Sequence, residues 1–357
     1  MKIITVVGAR PQFIKAATVS QVIKRTKSFS EVMVHTGQHF DQNMSDVFFK
    51  ELEIPQPAYH LGVGGGTHGQ NTGRMLEAIE AVMLNERPDA VLVYGDTDST
   101  LAGALAAAKI HLPVVHVEAG LRSFNKRMPE EINRQLTDHI SALLLTPNDA
   151  GVANLANEGI RGGQVQNIGD VMYDAAVFFG QKAEQTSNVL VRLGLNSQGY
   201  VLATVHRQEN VDDPKRLQRI LDGFARIKRP VVLPLHPRTR QRIASFNFVV
   251  PANVQILDPL GYIDMVMLEK HACLIATDSG GVQKEAYFHG VPCLTLRDET
   301  EWVELVQLGW NTLLSPATDD FLDKIGIIPT PGVAGRFPYG NGQAADRVIE
   351  AINKAFA

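Results

Sequence analysis

Three acidic side chains stand where strands of a predicted α/β sheet end. Asp96 follows an apolar run in the segment Asp89–Thr100. Glu118 follows a second apolar run in the segment Pro113–Arg134, which also contains Glu130. In open α/β sheets, ligands bind along the edge that the carboxyl ends of the strands form. Carboxylates gathered at that edge could transfer protons, bind a metal ion or recognise hydroxyl groups.

Other polar side chains follow predicted strands in the same way. His206 and Arg207 begin the loop HRQEN, and His236 begins another loop. One such residue is about as often a hydrogen-bonded strand terminus as a functional group. The whole set draws on both halves of the chain, which indicates a cleft between two facing domains. Its members are His35, Asp96, Glu118, His206, His236 and Asp278.

Short β-branched runs alternate with helical patterns along the chain, which is typical of parallel sheets built from βαβ units. The predicted strands of the first half are Lys2–Val7, Glu31–Thr36, Asp89–Tyr94, Pro113–Val117, Ala142–Leu145 and Val165–Ile168. Those of the second half are Tyr200–Thr204, Val231–Leu235, Val254–Leu257, Cys273–Ala276 and Pro292–Leu296. We therefore predict an α/β fold with two Rossmann-like domains in tandem.

The first predicted domain covers residues 1–180 and the second covers residues 196–341. The polar, weakly periodic segment Gln181–Leu195 is the predicted linker between them. The final helix, Gly342–Ala357, could belong to the second domain or return to the first.

Composition indicates a soluble globular protein. The chain has 357 residues, of which 45% are hydrophobic and 20% are charged, and its net charge is -4. No basic stripe suggests a nucleic-acid partner. The apolar run before Arg10 is too short for a signal peptide or a membrane span. Cys273 and Cys293 lie in apolar runs and are expected to be buried and reduced, so we expect a cytoplasmic protein with no membrane partner.

The segment Gly8–Lys15 (GARPQFIK) follows the first strand and opens a helix. The N–H groups at the start of a helix favour an anion, and Arg10 and Lys15 would add positive charge. The segment is neither a GxGxxG fingerprint nor a P-loop. The alternative is a structural turn with two surface cations.

A second helix start occurs in the segment Thr277–Ala286. The small residues Ser279, Gly280 and Gly281 leave room for a diphosphate against the N-terminus of that helix. Glu285, about two turns further on, could bind ribose hydroxyls. The pattern therefore suits a nucleoside diphosphate.

A metal site is the alternative use of Asp96 and Asp98. No histidine or cysteine stands at zinc-like spacing from them, so we predict no protein-held metal. A magnesium ion bound through substrate phosphates remains open but is not needed, because Arg10, Lys15 and the helix starts already supply positive charge.

Several motifs together resemble the non-hydrolysing UDP-N-acetylglucosamine 2-epimerases. They are GARPQFIK, TGQHFD, YGDTDSTLAGALAA, HVEAGLRS, MPEEINR, HRQEN, TDSGGVQKEA and RDETEW, and their order runs from Lys2 to the terminal helix. The resemblance implies the two-domain fold of the B-type glycosyltransferases, a homodimer and a last helix that crosses to the first domain. It also implies a UDP-sugar substrate and no cofactor.

Matched motif by motif, the resemblance implies roles for particular residues. The catalytic acids fall on Asp96, Glu118 and Glu130, and the catalytic histidine falls on His206. Arg134 matches an active-site arginine. The diphosphate and uridine contacts fall on Arg10, Lys15, Ser279, Gly280, Gly281 and Glu285.

Two positions depart from the family pattern. A common form of the family has arginine where this chain has Trp302, so one polar contact is missing or replaced. Members that UDP-N-acetylglucosamine activates at a second site have glutamine at the position of Asp41, so we leave such regulation open. The other residues that match the allosteric site are Gln38, His39, Arg74, Arg207 and Glu209.

The stretches TGQHFDQNMSDVFF, SFNKRMPEEINR and TEWVELV resemble a subgroup that acts on UDP-2,3-diacetamido-2,3-dideoxy-glucuronate in bacterial O-antigen synthesis. The carboxylate of that sugar would need a cation, and Lys126 and Arg127 are available. Similar loops also occur in enzymes that use UDP-N-acetylglucosamine, so both substrates remain open.

The reaction to be explained is inversion at C2 of the sugar, whose proton is only weakly acidic. Expulsion of UDP by anti elimination would give a 2-acetamidoglucal, to which UDP adds back with protonation on the opposite face. Three alternatives are a retaining glycosyltransferase of the same fold, a hydrolysing epimerase and a UDP-sugar sensor without catalytic activity.

Overall fold

The computed structural model describes residues 1–38, 54–333 and 337–356. His39 and Asp41, both considered for an allosteric site, lie outside these ranges. The chain forms two compact units. The first unit comprises Met1–Ala175 and Phe337–Ala357, and the second unit comprises Ala176–Arg336.

The first unit contains a parallel sheet of seven strands among its described residues, in the order β3-β2-β1-β4-β5-β6-β7. The strands are β1 Lys2–Val7, β2 Ser30–His35, β3 Tyr59–His60, β4 Ala90–Tyr94, β5 Val114–Val117, β6 Leu143–Thr146 and β7 Val165–Asn167. The helices that connect them are α1 Arg10–Arg25, α2 His68–Glu86, α3 Asp98–Lys109, α4 Pro129–Ile140, α5 Asp149–Asn157 and α6 Val171–Thr186. Because the order reverses between β1 and β4, the sheet has a topological switch point there.

The second unit repeats this arrangement with six strands in its described residues, in the order β10-β9-β8-β11-β12-β13. The strands are β8 Val201–Thr204, β9 Val231–Pro234, β10 Val254–Leu257, β11 Leu274–Thr277, β12 Cys293–Thr295 and β13 Asn311–Leu313. The helices are α7 Val189–Leu193, α8 Gln208–Val211, α9 Pro214–Arg226, α10 Pro237–Ser245, α11 Tyr262–His271, α12 Gly280–Phe288, α13 Val303–Gln307 and α14 Phe321–Lys324. The switch point of this sheet lies between β8 and β11.

The central strands are buried on both faces, which explains their continuous apolar runs. Val6, Leu92 and Val115 have no exposed surface in the first unit, and Leu202 and Ile275 have none in the second. The predicted α/β fold class with two Rossmann-like sheets is confirmed. No helix in the described ranges has both the length and the hydropathy that crossing a lipid bilayer requires.

The segment predicted as a linker is largely helical. Helix α6 continues to Thr186, and α7 begins at Val189. Phe179 and Ala183 on α6 are completely buried and, being four residues apart, lie on one side of that helix, and Val189 at the start of α7 is also completely buried. The polar residues between them misled the sequence interpretation, because they form the exposed side.

The final helix, α15 Ala344–Phe356, belongs to the first unit and packs against α1. The Asp174 carboxylate accepts hydrogen bonds from the backbone N–H groups of Ala344 at 3.0 Å and Ala345 at 2.8 Å. These are N–H groups that the first turn of a helix leaves without an intrahelical partner. Asp174 therefore attaches the start of the last helix to the remainder of its unit.

Asp174 should make the stability of the first unit depend on pH. Burial raises the pKa of its carboxyl to about 6 from the ordinary 3.8, although the two N–H groups of α15 oppose this. The pKa of Asp174 is higher in the folded protein than in the unfolded chain. Its contribution to the free energy of unfolding is therefore fully present below about pH 4 and is lost as the pH rises through 6. The loss is on the order of 2–3 kcal/mol.

The test compares the melting temperature of the wild type with that of Asp174→Asn between pH 4 and pH 7.5. We expect the wild type to lose several degrees relative to the variant across this range. Glu350→Gln, at an exposed acid of the same helix, is the matched control. A difference between wild type and Asp174→Asn that does not change with pH would contradict the prediction.

Candidate active site

The turn after β1 approaches the turn after β4 so closely that it must contain glycine. A Cβ atom on Gly8 would lie 2.1 Å from the Ser99 hydroxyl oxygen and 2.2 Å from that of Thr36. The contact is therefore possible only without a side chain. The start of α1, which contains Arg10, is held against the start of α3 in this way.

Gln12 connects the same two turns through its side-chain amide. Its Oε1 accepts from the backbone N–H groups of Gly8 at 2.8 Å and Ala9 at 3.0 Å. Its Nε2 donates to the Tyr94 carbonyl and to the Thr100 hydroxyl, both at 2.9 Å. Gln12 is 1% exposed, so this buried amide uses its full hydrogen-bonding capacity within the protein.

Two of the predicted catalytic acids form ion pairs at this edge of the sheet. Asp96 binds the Arg134 guanidinium, and Glu118 binds the Lys15 ammonium. A Cβ atom on Gly95 would lie 3.2 Å from the Glu118 carboxylate and 3.3 Å from the Lys15 ammonium, so the second pair lies beside Gly95 with little room for a side chain there. The structure brings Asp96, Glu118, Lys15 and Arg134 to one edge of the sheet as two ion pairs.

Glu118 has a backbone φ of 71°, in the left-handed region that non-glycine residues seldom adopt. Residues are held in such conformations where the surrounding structure fixes them, often at functional sites. The backbone N–H of Glu118 donates to the Leu145 carbonyl at 3.0 Å, which holds the turn on the neighbouring strand. The strained backbone thus directs the Glu118 carboxylate to Lys15.

Glu131 is a site residue that the sequence interpretation missed. Its buried carboxylate accepts from the Ser123 N–H at 2.8 Å, the Ser123 hydroxyl at 2.9 Å and the Phe124 N–H at 3.1 Å. It also binds the Arg134 guanidinium at 3.0 Å. Burial opposes its ionisation, but these hydrogen bonds and Arg134 bring the pKa of the Glu131 carboxyl below its usual value. Glu131 therefore fixes both Arg134 and the loop before α4.

Glu130 is placed differently from Asp96 and Glu118. It is exposed in the first turn of α4 and, among the described residues, forms no hydrogen bond or ion pair. Lys126 and Arg127 are also exposed, on the loop that leads to α4. Glu131 could have been identified in the sequence by its spacing of three residues from Arg134, because this spacing suits an ion pair on a helix.

Asn133 attaches α4 to the start of α3. Its Nδ2 donates to the Asp96 carbonyl and to the Asp98 carboxylate, both at 3.0 Å. The other Asp98 oxygen lies 2.8 Å from Nδ1 of His68. Asp98 is thus occupied in positioning the helices and is 5% exposed.

In the second unit, Asp278 follows β11 and holds the turn after β8. Its fully buried carboxylate accepts from the backbone N–H groups of His206 at 3.1 Å and Arg207 at 3.0 Å. It also accepts from the Asn210 side-chain amide at 3.1 Å. The His206 Nδ1 lies 3.6 Å from the same carboxylate, and 46% of its side chain is exposed. Asp278 therefore fixes the backbone of His206, while the imidazole ring stays accessible to solvent.

The segment 279–281 forms the N-terminus of α12. Ser279 caps this helix, because its hydroxyl accepts from the Val282 N–H at 3.5 Å. A Cβ atom on Gly280 would lie 2.5 Å from the Glu301 carboxylate, and Gly281 is exposed. The helix start is thus closed on one side by Glu301 and open at Gly281, an arrangement that admits an anion.

Trp302, which occupies the position of a common family arginine, supports this turn. Its indole N–H donates to the Gly280 carbonyl at 2.9 Å. The Lys284 ammonium lies 4.3 Å from the centroid of the indole ring, within cation–π range. Trp302 therefore acts on the protein backbone, and a cation is still present beside the turn because Lys284 supplies it.

Glu285 lies in an acidic, buried environment. The Tyr262 hydroxyl is 3.3 Å from its carboxylate. Burial, reinforced by the charge of Glu285, raises the pKa of both Tyr262 and Glu269 well above their usual values. The Tyr262 hydroxyl and the Glu269 carboxyl are therefore harder to ionise than the same groups in water.

Three of the residues considered for an allosteric site, Gln38, Arg74 and Arg207, have structural partners. Gln38 Oε1 accepts from the Ser99 N–H at 3.0 Å and from its hydroxyl at 2.7 Å. Arg74 donates to the Gln70 carbonyl at 3.2 Å. Arg207 contributes its backbone N–H to Asp278, and Glu209 is exposed in α8. Regulation at these residues remains a prediction.

In the described ranges, no three histidine, cysteine, aspartate or glutamate side chains come together as ligands for a metal ion. A magnesium ion bound through phosphates of a substrate would not need such a cluster. Among the described residues, the switch point of the first unit has acids paired with cations. The switch point of the second unit has a histidine and the start of a helix that can accept an anion.

Comparison with known proteins places these features in a family. The model of the UDP-N-acetylglucosamine 2-epimerase family matches residues 21–353. A UDP-2,3-diacetamido-2,3-dideoxy-D-glucuronate 2-epimerase from Pseudomonas aeruginosa is 53% identical, over 99% of this chain and 100% of the relative.

Solved structures agree with the sequence relationship. The Methanocaldococcus jannaschii UDP-N-acetylglucosamine 2-epimerase in complex with UDP-N-acetylglucosamine and UDP has a TM-score of 0.89 and 41% identity, covering 99% of this chain and 100% of that one. The Neisseria meningitidis enzyme bound to UDP-N-acetylglucosamine has a TM-score of 0.88 and 30% identity, with coverage of 99% and 100%. The chain therefore belongs to the UDP-N-acetylglucosamine 2-epimerase family and is an isomerase.

Proposed function

We propose that the enzyme inverts C2 of a UDP-2-acetamido sugar without hydrolysing it. The observation that carries this proposal is the pairing of Asp96 with Arg134 and of Glu118 with Lys15 at one switch point. Inversion needs one group to remove the C2 proton and another to return a proton on the opposite face. Two carboxylates held on separate cations supply two distinct proton-transfer groups.

The first chemical step is anti elimination. A carboxylate removes the proton from C2, the electrons form the C1–C2 double bond, and the C1–oxygen bond to UDP breaks. In the second step UDP adds back at C1, and C2 receives a proton on the other face from a second carboxyl group, which is protonated when the reaction begins. Electrons and atoms balance without an oxidant or a cofactor. We propose Asp96, Glu118 and Glu130 as the acid and base groups.

The leaving UDP needs positive charge and N–H donors. We propose that Ser279, Gly280 and Gly281 bind the diphosphate at the start of α12, and that Glu285 binds the ribose hydroxyls. Arg10, Lys15 and His206 would stabilise the negative charge that develops on the departing oxygen. The hold of Asp278 on the His206 backbone supports this role, because it leaves the imidazole ring exposed.

Glu130 differs from the other two proposed acid or base groups, since it is exposed and has no partner among the described residues. It lies one residue before Glu131 and four before Arg134, both of which are fixed. A side chain on so constrained a turn can reach a bound sugar by rotation alone. We therefore keep Glu130 as a proposed catalytic residue whose alignment depends on the substrate.

We propose UDP-2,3-diacetamido-2,3-dideoxy-glucuronate as the preferred substrate, as in the Pseudomonas relative. The sugar carboxylate would bind Lys126 or Arg127. Both residues are exposed on a loop whose base is fixed by the hydrogen bonds of Glu131 to Ser123 and Phe124. A fixed base with exposed cations suits recognition of an added carboxylate.

The family resemblance also leads us to propose a cytoplasmic homodimer that serves bacterial O-antigen synthesis. Ile132 and Leu136 on α4 are about half exposed, at 48% and 50%, and lie one turn apart. Apolar residues in that arrangement could contact a second copy.

The proposed function is tested by proton NMR in D₂O with each of the two UDP-sugars in a separate sample. We expect deuterium to appear at C2 together with a manno-type anomeric signal, while UDP stays attached. Release of free sugar and UDP would instead indicate a hydrolysing epimerase. No exchange with either sugar would favour a glycosyltransferase or a sensor.

Glu118→Gln should reduce turnover by about 10²–10⁴-fold, because it removes one proton-transfer group. The affinity for UDP, measured by calorimetry, should change much less, since the nucleotide site proposed on α12 is unaltered. Deuterium incorporation at C2 is the readout. A variant that turns over at a near-normal rate would show that Glu118 is not an acid or base in the reaction.

Arg127→Ala should impair turnover of the glucuronate substrate far more than that of UDP-N-acetylglucosamine, because only the former has a carboxylate to pair. A charge-assisted hydrogen bond contributes about 1.5–3 kcal/mol, so the specificity ratio should change by about 10–100-fold. Lys126→Ala is the matched variant on the same loop. Equal losses of turnover on both substrates in both variants would contradict the proposed contact to the sugar carboxylate.

A further inference from the structure

A cluster of four charged side chains lies beneath the acids of the first unit. His116 is in β5, two residues before Glu118, and its side chain has no exposed surface. The side chains of Arg122 and Asp138 are likewise fully buried, and that of Glu158 is 27% exposed. None of these groups takes part in the proposed chemistry, so the cluster needs another explanation.

The two ring nitrogens of His116 both face acceptors. Nδ1 lies 2.7 Å from Oδ1 of Asp138, and Nε2 lies 2.7 Å from the Gly95 carbonyl oxygen. A carbonyl oxygen cannot donate, and neither can an ionised carboxylate. A neutral imidazole has a single N–H and could satisfy only one of these contacts. When Asp138 is ionised, both contacts are hydrogen bonds only if the ring carries two protons.

The surroundings of Asp138 favour its ionised form. Its Oδ2 accepts from the Arg122 guanidinium at 2.7 Å and from the Gly120 N–H at 3.1 Å. Burial opposes the charge, but His116 and Arg122 hold the pKa of the Asp138 carboxyl below its usual value. Arg122 also binds Glu158 through two contacts of 2.7 Å. With a protonated His116, two cations would balance two anions, as buried charges require.

The cluster connects the two turns that present the reacting acids. The Gly95 carbonyl that His116 binds belongs to the turn directly before Asp96. The Gly120 N–H that Asp138 binds belongs to the turn directly after Glu118. Since a Cβ atom on Gly95 would lie 3.2 Å from the Glu118 carboxylate, a small movement of the first turn would disturb the second.

We propose that His116 is a positioning residue that acts as a buried imidazolium, donating to Asp138 and to the Gly95 carbonyl so that Asp96 and Glu118 keep the spacing that proton transfer needs. The catalytic part rests on the proposed function, whereas the charge state does not. The charged groups around the ring are Asp138 from α4, Arg122 from the loop after β5, Glu158 after α5, and the Asp96–Arg134 and Glu118–Lys15 pairs above it.

The charge state is tested directly on the wild-type protein. Histidine labelled with ¹⁵N would be incorporated into the full chain, and the His116 ring would be assigned through its contacts to Gly95 and Asp138. We expect two slowly exchanging ring N–H signals from pH 6 to pH 8.5. A single ring N–H in this range would overturn the proposal, since the proton would then reside on Asp138 or be absent.

The positioning role is tested with His116→Gln, which is neutral and cannot reproduce both contacts in the same geometry. We expect deuterium incorporation at C2 to slow by about 10²-fold, the cost of a small misplacement of reacting groups, while KM stays within a few-fold. Thr137→Val, next to Asp138 on α4, is the control, because its buried hydroxyl has no hydrogen-bond partner among the described residues. That variant should react at the wild-type rate.

A folded His116→Gln enzyme with wild-type turnover would refute the positioning role. Should that variant not fold, Asp138→Asn replaces it, because the amide keeps an oxygen for the Gly120 N–H while removing the partner charge of His116. It should lose kcat by a similar factor with little change in KM, and an unchanged kcat would count against the proposal. A wild-type enzyme without C2 exchange would refute the proposed function, while the NMR result would still decide the charge of His116.

Discussion

The reversal of strand order in each parallel sheet is the constraint from which the active site follows. Right-handed crossovers place successive helices on one face until the order reverses, and there two neighbouring strands send the chain to opposite faces. The reversal lies between β1 and β4 in the first unit and between β8 and β11 in the second. The acids, the histidine and the anion-accepting helix start all lie on turns that leave these strands or their neighbours.

Turns at a switch point have few ladder hydrogen bonds, so buried polar side chains hold them in place. Gln12 joins the turns after β1 and β4. Asp278, in the turn after β11, binds the backbone of the turn after β8. Glu131 does the same for the loop before α4. Each of these side chains is satisfied by several partners, and such networks make the site rigid before substrate arrives. The groups proposed to react can therefore depend on residues that never touch the sugar.

Much of this arrangement is predictable from the sequence, because buried parallel strands have continuous apolar runs and their ends are marked by polar residues. The edge strands β3 and β13 were not predicted, since Tyr59–His60 and Asn311–Leu313 form no continuous apolar run in the sequence. Glu131 was not predicted, because the match to the family motif falls on Glu130 and the sequence does not show which way each of two adjacent acids on a helix faces. His116 sits in an apolar run and looks like a strand residue; its partner Asp138 is remote in sequence, so only the fold reveals the contact.

The position of α15 has a consequence for how the chain is made. The second unit is continuous in sequence, whereas the first is completed only by residues at the far end of the chain. During synthesis, the second unit can fold as soon as its segment has left the ribosome. The first unit cannot be completed before α15 has been made. Until then the surface of α1 that packs against α15 is uncovered, and Asp174 lacks the hydrogen bonds from the N–H groups of α15. The unit that has the proposed catalytic acids is thus not complete until α15 has been made.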